Sequence, residues 1–164
     1  MTASHIDLFT IDDNGQFQLA SAGQVIEAAL AILDEKVMRN GLISAPADAS
    51  AFFSLRLGNL EHEVFAAIFL DAQNRIIEYV ELFRGTLTQT SVYPREVVLR
   101  ALHHQAAGVV LAHNHPSGSV QPSRADEALT QTLKTTLALV DVRVLDHFIV
   151  APGQALSMAE KGLV

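Results

Sequence analysis

The sequence contains no cysteine, and its 11 lysine and arginine residues form no basic run. The absence of cysteine excludes disulfide bonds, thiol catalysis and thiolate metal sites, so histidine, aspartate and glutamate are the expected metal ligands. It also excludes zinc deaminases that hold their metal with a Pro-Cys-x-x-Cys segment. The 18 acidic residues give a formal net charge of −7, which argues against broad binding to a phosphate backbone.

Long hydrophobic runs are absent too, and no stretch approaches the length needed to span a bilayer. The acidic N-terminus MTASHIDLFTIDDNGQF lacks the basic and then apolar order of a signal peptide. We therefore expect a cytoplasmic protein with no membrane contact.

Its 164 residues, 49% of them hydrophobic, suffice for one domain with a buried core. We place an N-terminal segment with one helix at residues 1–45 and the domain at 46–164.

Hydrophobic periodicity predicts both helices and strands along the chain. We predict four helices. The first follows the capping pattern Ser21-Ala22-Gly23-Gln24, the second covers 46–58, the third begins at Pro94 and the fourth covers 123–140. The predicted strands cover 64–70, 75–84, 108–112 and 142–150. Two helices, a hairpin and then alternating helices and strands are typical of an α/β fold in which helices flank a mixed sheet.

The segment VVLAHNHPSGSVQPSRAD, residues 109–126, joins a strand to a helix. His113 and His115 point to the same side because side chains alternate along a strand, and two imidazoles about 6–7 Å apart along the chain can converge on one ion. If Ser123 caps the following helix, Asp126 is its third residue and lies on the same face as Ser123. Two histidines and one aspartate would leave a catalytic zinc ion with a fourth position for water, whose pKa the ion lowers.

Glu63 is the candidate general base, because it stands directly before the apolar strand VFAAIFL, where packing gives a carboxylate no role. If that strand neighbours 108–112, Glu63 could accept the proton of the water and pass it to the leaving group. For each of these residues a purely structural interpretation stays open. A His-x-His pair is often structural, Ser123 and Asp126 fit a simple helix cap, and Glu63 fits a solvated strand end. His147, on a buried-looking strand, fits a core position or a partner of a metal ligand.

The same residues resemble a known signature. His113-Asn114-His115-Pro116, six residues and Ser123-Arg124-Ala125-Asp126 match the JAMM signature of JAB/MPN metalloproteins, His-x-His-Pro, six residues, Ser-x-x-Asp, with a glutamate upstream. The chain is also similar to the RadC family. The similarity lies in the segment HNHPSG…PSRAD and in Gly85-Thr86, Pro94-Arg95-Glu96 and Leu145-Asp146-His147. The resemblance implies a JAB/MPN-like, cytidine-deaminase-like layered architecture for the domain.

The resemblance also implies a role for each residue of the pattern. It implies one zinc ion with three protein ligands, which are His113, His115 and Asp126. It implies that Glu63 hydrogen-bonds the metal-bound water and that Ser123 stabilises the oxyanion of a tetrahedral intermediate. Glu61 competes with Glu63, but Glu63 directly precedes the strand, as the family glutamate does.

Full-length RadC proteins carry an N-terminal helix-hairpin-helix region that binds DNA, and we expect a short form without it. The leading hypothesis is a zinc-dependent hydrolase of the JAMM type, a metallopeptidase or isopeptidase acting on an unknown protein or peptide. The alternative is a DNA-repair or recombination accessory protein whose metal is structural, which the acidic charge disfavours. A metal-dependent nuclease is a third candidate, although phosphodiester chemistry with hard cations prefers more carboxylates.

Overall fold

The structure, a computed structural model, describes residues 7–12, 15–40, 43, 45–85 and 92–164, the side chains of 33–40 excepted. Within these residues the helices are α1 (Ala22–Asn40), α2 (Pro46–Leu57), α3 (Pro94–His103) and α4 (Arg124–Ala138). The strands are β1 (Phe9–Ile11), β2 (Phe17–Leu19), β3 (Val64–Leu70), β4 (Ile76–Arg84), β5 (Gly108–Asn114), β6 (Arg143–Ala151) and β7 (Gln154–Ser157). None of the helices found there is long and apolar enough to cross a membrane.

Strands β3 to β7 form one sheet in the order β4-β3-β5-β6-β7. β5 and β6 run parallel, and the other neighbouring pairs are antiparallel. Every residue of β3 and β5 is buried, as expected for apolar strands in the middle of a sheet that is covered on both faces. The mixed sheet and its flanking helices confirm the predicted α/β class.

The two faces of the sheet carry separate cores. On one face, α2 contributes Phe52, Phe53 and Leu57. On the other face, α3 and α4 contribute Val97, Ala101, Leu133 and Leu137. Leu133 and Leu137 are fully buried, and their spacing of four residues puts both on the apolar face of α4. Burying each such leucine stabilises the fold by about 1.5–3 kcal/mol.

Three short strands go beyond the sequence prediction. β1 and β2 pair into a hairpin, so the N-terminal segment holds more than its predicted helix. β7 pairs with the end of β6 after a turn at Gly153, whose φ of +74° suits glycine. Strands of three or four residues carry too little hydrophobic pattern for a sequence to reveal them.

The end of β5 defines one edge of the sheet. β5 runs two residues beyond its predicted end, because His113 and Asn114 keep pairing with β6. Since β3 is antiparallel to β5, the first residues of β3 lie at this same edge. The loop after β5 leads back to the N-terminus of α4. This edge therefore brings together the end of β5, the start of β3 and the start of α4.

Candidate metal centre

The end of β5 presents two histidines on the face that α3 and α4 cover. His113 is buried, with its ring stacked on Phe65 of β3 at a centroid distance of 6.3 Å. His115 follows the strand, and its backbone N–H donates to the carbonyl oxygen of Val150 over 2.7 Å. The Nε2 atoms of the two imidazoles lie 2.9 Å apart, so the alternation along the strand brings the rings together as the sequence predicts.

The loop after His115 folds back onto the ring of this residue. His115 Nδ1 lies 2.7 Å from the carbonyl oxygen of Ser119, and a carbonyl has no proton to donate. The ring proton is therefore on Nδ1, which leaves Nε2 with a lone pair when the imidazole is neutral. Gln154 of β7 holds the loop in place by donating to the carbonyl oxygen of Gly118 over 2.9 Å.

Asp126 reaches the histidines through the helix cap of α4. Its backbone N–H donates to Ser123 Oγ over 3.1 Å, and the backbone N–H of Ser123 donates to Asp126 Oδ2 over 2.7 Å. This capping box holds Oδ1 3.2 Å from His113 Nε2 and Oδ2 3.7 Å from His115 Nε2. The cap and the approach to the histidines are therefore properties of one side chain, and the two interpretations do not compete.

The surroundings of Asp126 favour its ionised form. Burial raises the pKa of its carboxyl group, but the neighbouring His113 and the hydrogen bonds from Ser123 outweigh burial and hold this pKa below its usual value. An ionised carboxylate is the form in which aspartate binds a metal ion. Asp126 therefore needs no further change of protonation to act as a ligand.

The geometry allows these three side chains to hold one metal ion. One potential ligand atom each from His113, His115 and Asp126 all lie within 4.8 Å of one another. In the described part of the chain, no other group of three histidine, aspartate or glutamate side chains is close enough to do so. The His113 side chain is 3% exposed, against 19% for His115 and 15% for Asp126. The group is therefore enclosed around His113 and open to solvent on the other side.

Two buried side chains lie behind His113. His113 Nδ1 is 2.9 Å from His147 Nε2, and His147 Nδ1 is 2.6 Å from Thr130 Oγ1. Burial of the His147 ring, together with the neighbouring His113, lowers the pKa of His147 well below its usual value. The position of His147 fits the predicted core or partner role. Sequence reasoning missed Thr130, although it follows Asp126 by four residues on the same face of α4.

Glu63 lies at the same edge of the sheet, one residue before β3, and is half-buried. The strand register pairs Phe65 with His113, and Glu63 precedes Phe65 by two residues, just before the start of β3. Glu61 is exposed in the loop before it. The predicted neighbourhood of β3 and β5 is therefore correct, and the role of Glu63 as general base stays a prediction.

Asn114 connects the segment that carries Glu63 to the histidine strand. It stands between the two histidines in sequence and points to the opposite face of the sheet. Its Oδ1 accepts from the backbone N–H of Val64 over 2.7 Å, and its Nδ2 donates to the carbonyl oxygens of His62 and Leu60 over 3.0 and 3.3 Å. Sequence reasoning gave Asn114 no role, because contacts across 50 or more residues leave no local pattern.

Comparisons with known proteins identify the family to which the chain belongs. A family model described as the RadC-like JAB domain matches residues 43–163. A UPF0758 protein of Verminephrobacter eiseniae is 63% identical over 99% of this chain and 68% of its own length. UPF0758 proteins of Albidiferax ferrireducens and of Acidovorax sp. strain JS42 are 60% and 63% identical over 99% of this chain, and over 69% and 68% of their own lengths. The resemblance that the sequence suggests is thereby confirmed, and the chain belongs to the family of RadC-like JAB domains.

Proposed function

We propose that the chain is a zinc-dependent hydrolase of the JAMM type, which cleaves peptide or isopeptide bonds in a protein or peptide substrate. One observation carries the proposal. Two imidazole nitrogens and a carboxylate converge at a strand end, with one side of the group open to solvent. Three protein ligands with an accessible side are typical of catalytic zinc sites, whereas structural sites are closed by four protein ligands.

The donor set and its spacing fit a zinc ion. Two donors on a tetrahedral zinc ion lie roughly 3.3 Å apart. The separations here are 2.9 Å between the His113 and His115 nitrogens, and 3.2 and 3.7 Å from these nitrogens to the Asp126 oxygens. When bound, a zinc ion would polarise a carbonyl group and lower the pKa of a water ligand towards neutrality.

Glu63 is the residue that we assign to proton transfer. Glu63 stands at the end of the sheet that carries the group, two residues before Phe65, which pairs with His113. A carboxylate there can accept a proton from the attacking water and deliver it to the leaving nitrogen of the amide. Asn114 holds the backbone around Glu63 against β5, which limits how far this carboxylate can move away from the centre.

Ser123 is the residue that we assign to the oxyanion. It is exposed at the start of α4, next to Asp126, and its Oγ accepts the backbone N–H of Asp126. Among the described residues, the Ser123 hydroxyl donates no hydrogen bond. Its proton is therefore available to a substrate oxygen that becomes negative during attack on the carbonyl carbon.

A turnover assay with a matched variant tests the proposal. Zinc-loaded protein is incubated with linear and isopeptide-linked peptides, and the amines that cleavage releases are measured. We expect turnover that stops when zinc is chelated and returns when zinc is added back. Glu63→Gln should keep its zinc and lose turnover. Turnover that survives chelation of zinc would refute the proposal, and equal turnover by the wild type and Glu63→Gln would refute the role of Glu63.

A further inference from the structure

Behind His113, the buried side chains of His147 and Thr130 form a row of hydrogen bonds. This row ends at a group that can only accept a hydrogen bond. Thr130 Oγ1 lies 2.6 Å from the backbone carbonyl oxygen of Asp126, one turn earlier in α4. Two oxygens at that distance need a proton between them, and the carbonyl has none. The Thr130 hydroxyl therefore donates to Asp126. Met158 Sδ is 3.7 Å away, and a thioether is too weak an acceptor to take this proton instead.

The direction of this hydrogen bond determines the next two. The Thr130 proton points to Asp126, so Thr130 Oγ1 can only accept from His147. His147 Nδ1, 2.6 Å from this oxygen, therefore carries a proton and donates it. A neutral His147 then has a lone pair on Nε2. This lone pair accepts from His113 Nδ1 over 2.9 Å, so the proton of the His113 ring is on Nδ1.

We propose that Thr130 and His147 are positioning residues that hold a proton on Nδ1 of His113, so that Nε2 is the atom that this ring presents to a metal ion. Both side chains are fully buried, so water does not compete for these hydrogen bonds. Phe65 lies edge-on to the His147 ring at a centroid distance of 5.5 Å, which limits rotation of the ring. The purpose of this relay, from Thr130 through His147 to His113, rests on the proposed metal site. On the other side of the His113 ring, His115 Nε2 at 2.9 Å and Asp126 Oδ1 at 3.2 Å can hold a proton against His113 Nε2 until a metal ion replaces it.

The opposite direction of the relay would have the opposite consequence. If Thr130 donated to His147, then His147 Nε2–H would donate to His113, and the His113 proton would move to Nε2. That proton would point at Asp126, 3.2 Å away, and would have to leave before a metal ion could bind. The Thr130 hydroxyl selects between these two networks because it cannot donate to both neighbours.

Nitrogen NMR of the imidazole rings in the metal-free protein measures the tautomer directly. At about pH 8, above the ordinary histidine pKa of about 6.5, we expect His113 and His147 to be protonated at Nδ1. Thr130→Val keeps the branched shape of the side chain and removes the hydroxyl. In this variant we expect a shift of His113 towards the Nε2–H form. A wild-type His113 that carries no proton on Nδ1 would overturn the proposal without the need for any variant.

Zinc affinity is the second measurement, made by competition with a chromophoric chelator. Loss of a group that orients a metal ligand typically weakens metal binding by about 10–100-fold, and we expect a change of this size in Thr130→Val. Thr130→Ser restores the hydroxyl and should restore both measurements. Thr132→Val is the matched control, because Thr132 donates to the carbonyl oxygen of Ala128 over 2.8 Å and is exposed on the same helix.

The outcomes separate this proposal from the proposed function. If the wild type binds no zinc, the proposed function fails, while the tautomer of His113 still decides whether the relay exists. If the wild type binds zinc, and Thr130→Val changes neither the tautomer nor the affinity relative to Thr132→Val, the relay is refuted and the metal site stands.

Discussion

Asn114 accepts a hydrogen bond from the backbone N–H of Val64 over 2.7 Å, and this contact joins the end of the histidine strand to the start of the strand behind Glu63. The two amide donors of Asn114 bind the carbonyl oxygens of His62 and Leu60. One buried side chain thus holds three backbone groups of the Glu63 segment. The metal centre and its candidate base are connected through Asn114 on the face of the sheet opposite the histidines.

Replacing Asn114 should separate stability and turnover from metal binding. Asn114→Leu removes the partners of buried backbone groups, so we expect the free energy of unfolding to fall by about 1–3 kcal/mol, as measured by denaturant titration. Turnover should fall with it, because the Glu63 segment is no longer held. Zinc content should not change, because the three ligands remain. Wild-type turnover in Asn114→Leu would contradict this role.

The two glutamates before β3 should respond differently to the same substitution. Glu63 is half-buried beside the end of β5, whereas Glu61 is exposed. We expect Glu63→Gln to lose turnover, because a neutral amide cannot accept the proton of water, and Glu61→Gln to behave as the wild type. Both should retain zinc in metal analysis. If Glu61→Gln loses turnover and Glu63→Gln does not, the base is Glu61.

Ser123 should affect both the rate and the stability, and two substitutions distinguish these effects. Removing one donor to an oxyanion typically costs about 10²–10³ in rate, and we expect this loss in both Ser123→Ala and Ser123→Gly. Loss of the helix cap should lower the free energy of unfolding by about 0.5–2 kcal/mol in Ser123→Ala, but by only a few tenths in Ser123→Gly. If Ser123→Ala loses much more rate than Ser123→Gly, in parallel with its lower stability, Ser123 acts only as a helix cap.

DNA binding tests the alternative that the family name raises. The chain carries a formal net charge of −7 and no basic run, so few phosphate contacts are available to release counterions. We expect no binding to duplex DNA at low salt in a fluorescence anisotropy titration. Binding at micromolar concentrations that weakens steeply as salt is added would favour a DNA-repair accessory role.

The convergence of His113, His115 and Asp126 could be predicted from the sequence because its geometry is local. The spacing of His113 and His115 on a strand sets their common direction, and the Ser123 cap sets the place of Asp126 in the first turn of α4. The long apolar strands and the leucine stripe of α4 are equally local patterns. Each of them therefore appears in the structure near its predicted place, although β5 extends two residues further than predicted.

The contacts that the sequence does not predict depend on pairing between segments that are distant in the chain. Glu63 comes to the same end of the sheet as the histidines only because β3 and β5 are neighbours, which the sequence allows but does not require. Asn114 and Val64 are 50 residues apart, and Thr130 meets His147 across the packing of α4 on β6. No periodicity records such contacts. The short strands β1, β2 and β7 were missed for a different reason, since three or four residues do not establish a period.

Metal analysis of the purified protein tests the central claim most directly. His113→Ala removes the most buried ligand of the group, and His103→Ala, an exposed histidine of α3, is the matched control. We predict one zinc ion per chain in the wild type and in His103→Ala, and its loss in His113→Ala. Zinc content that is the same in His113→Ala as in the wild type would contradict the assignment of the metal site.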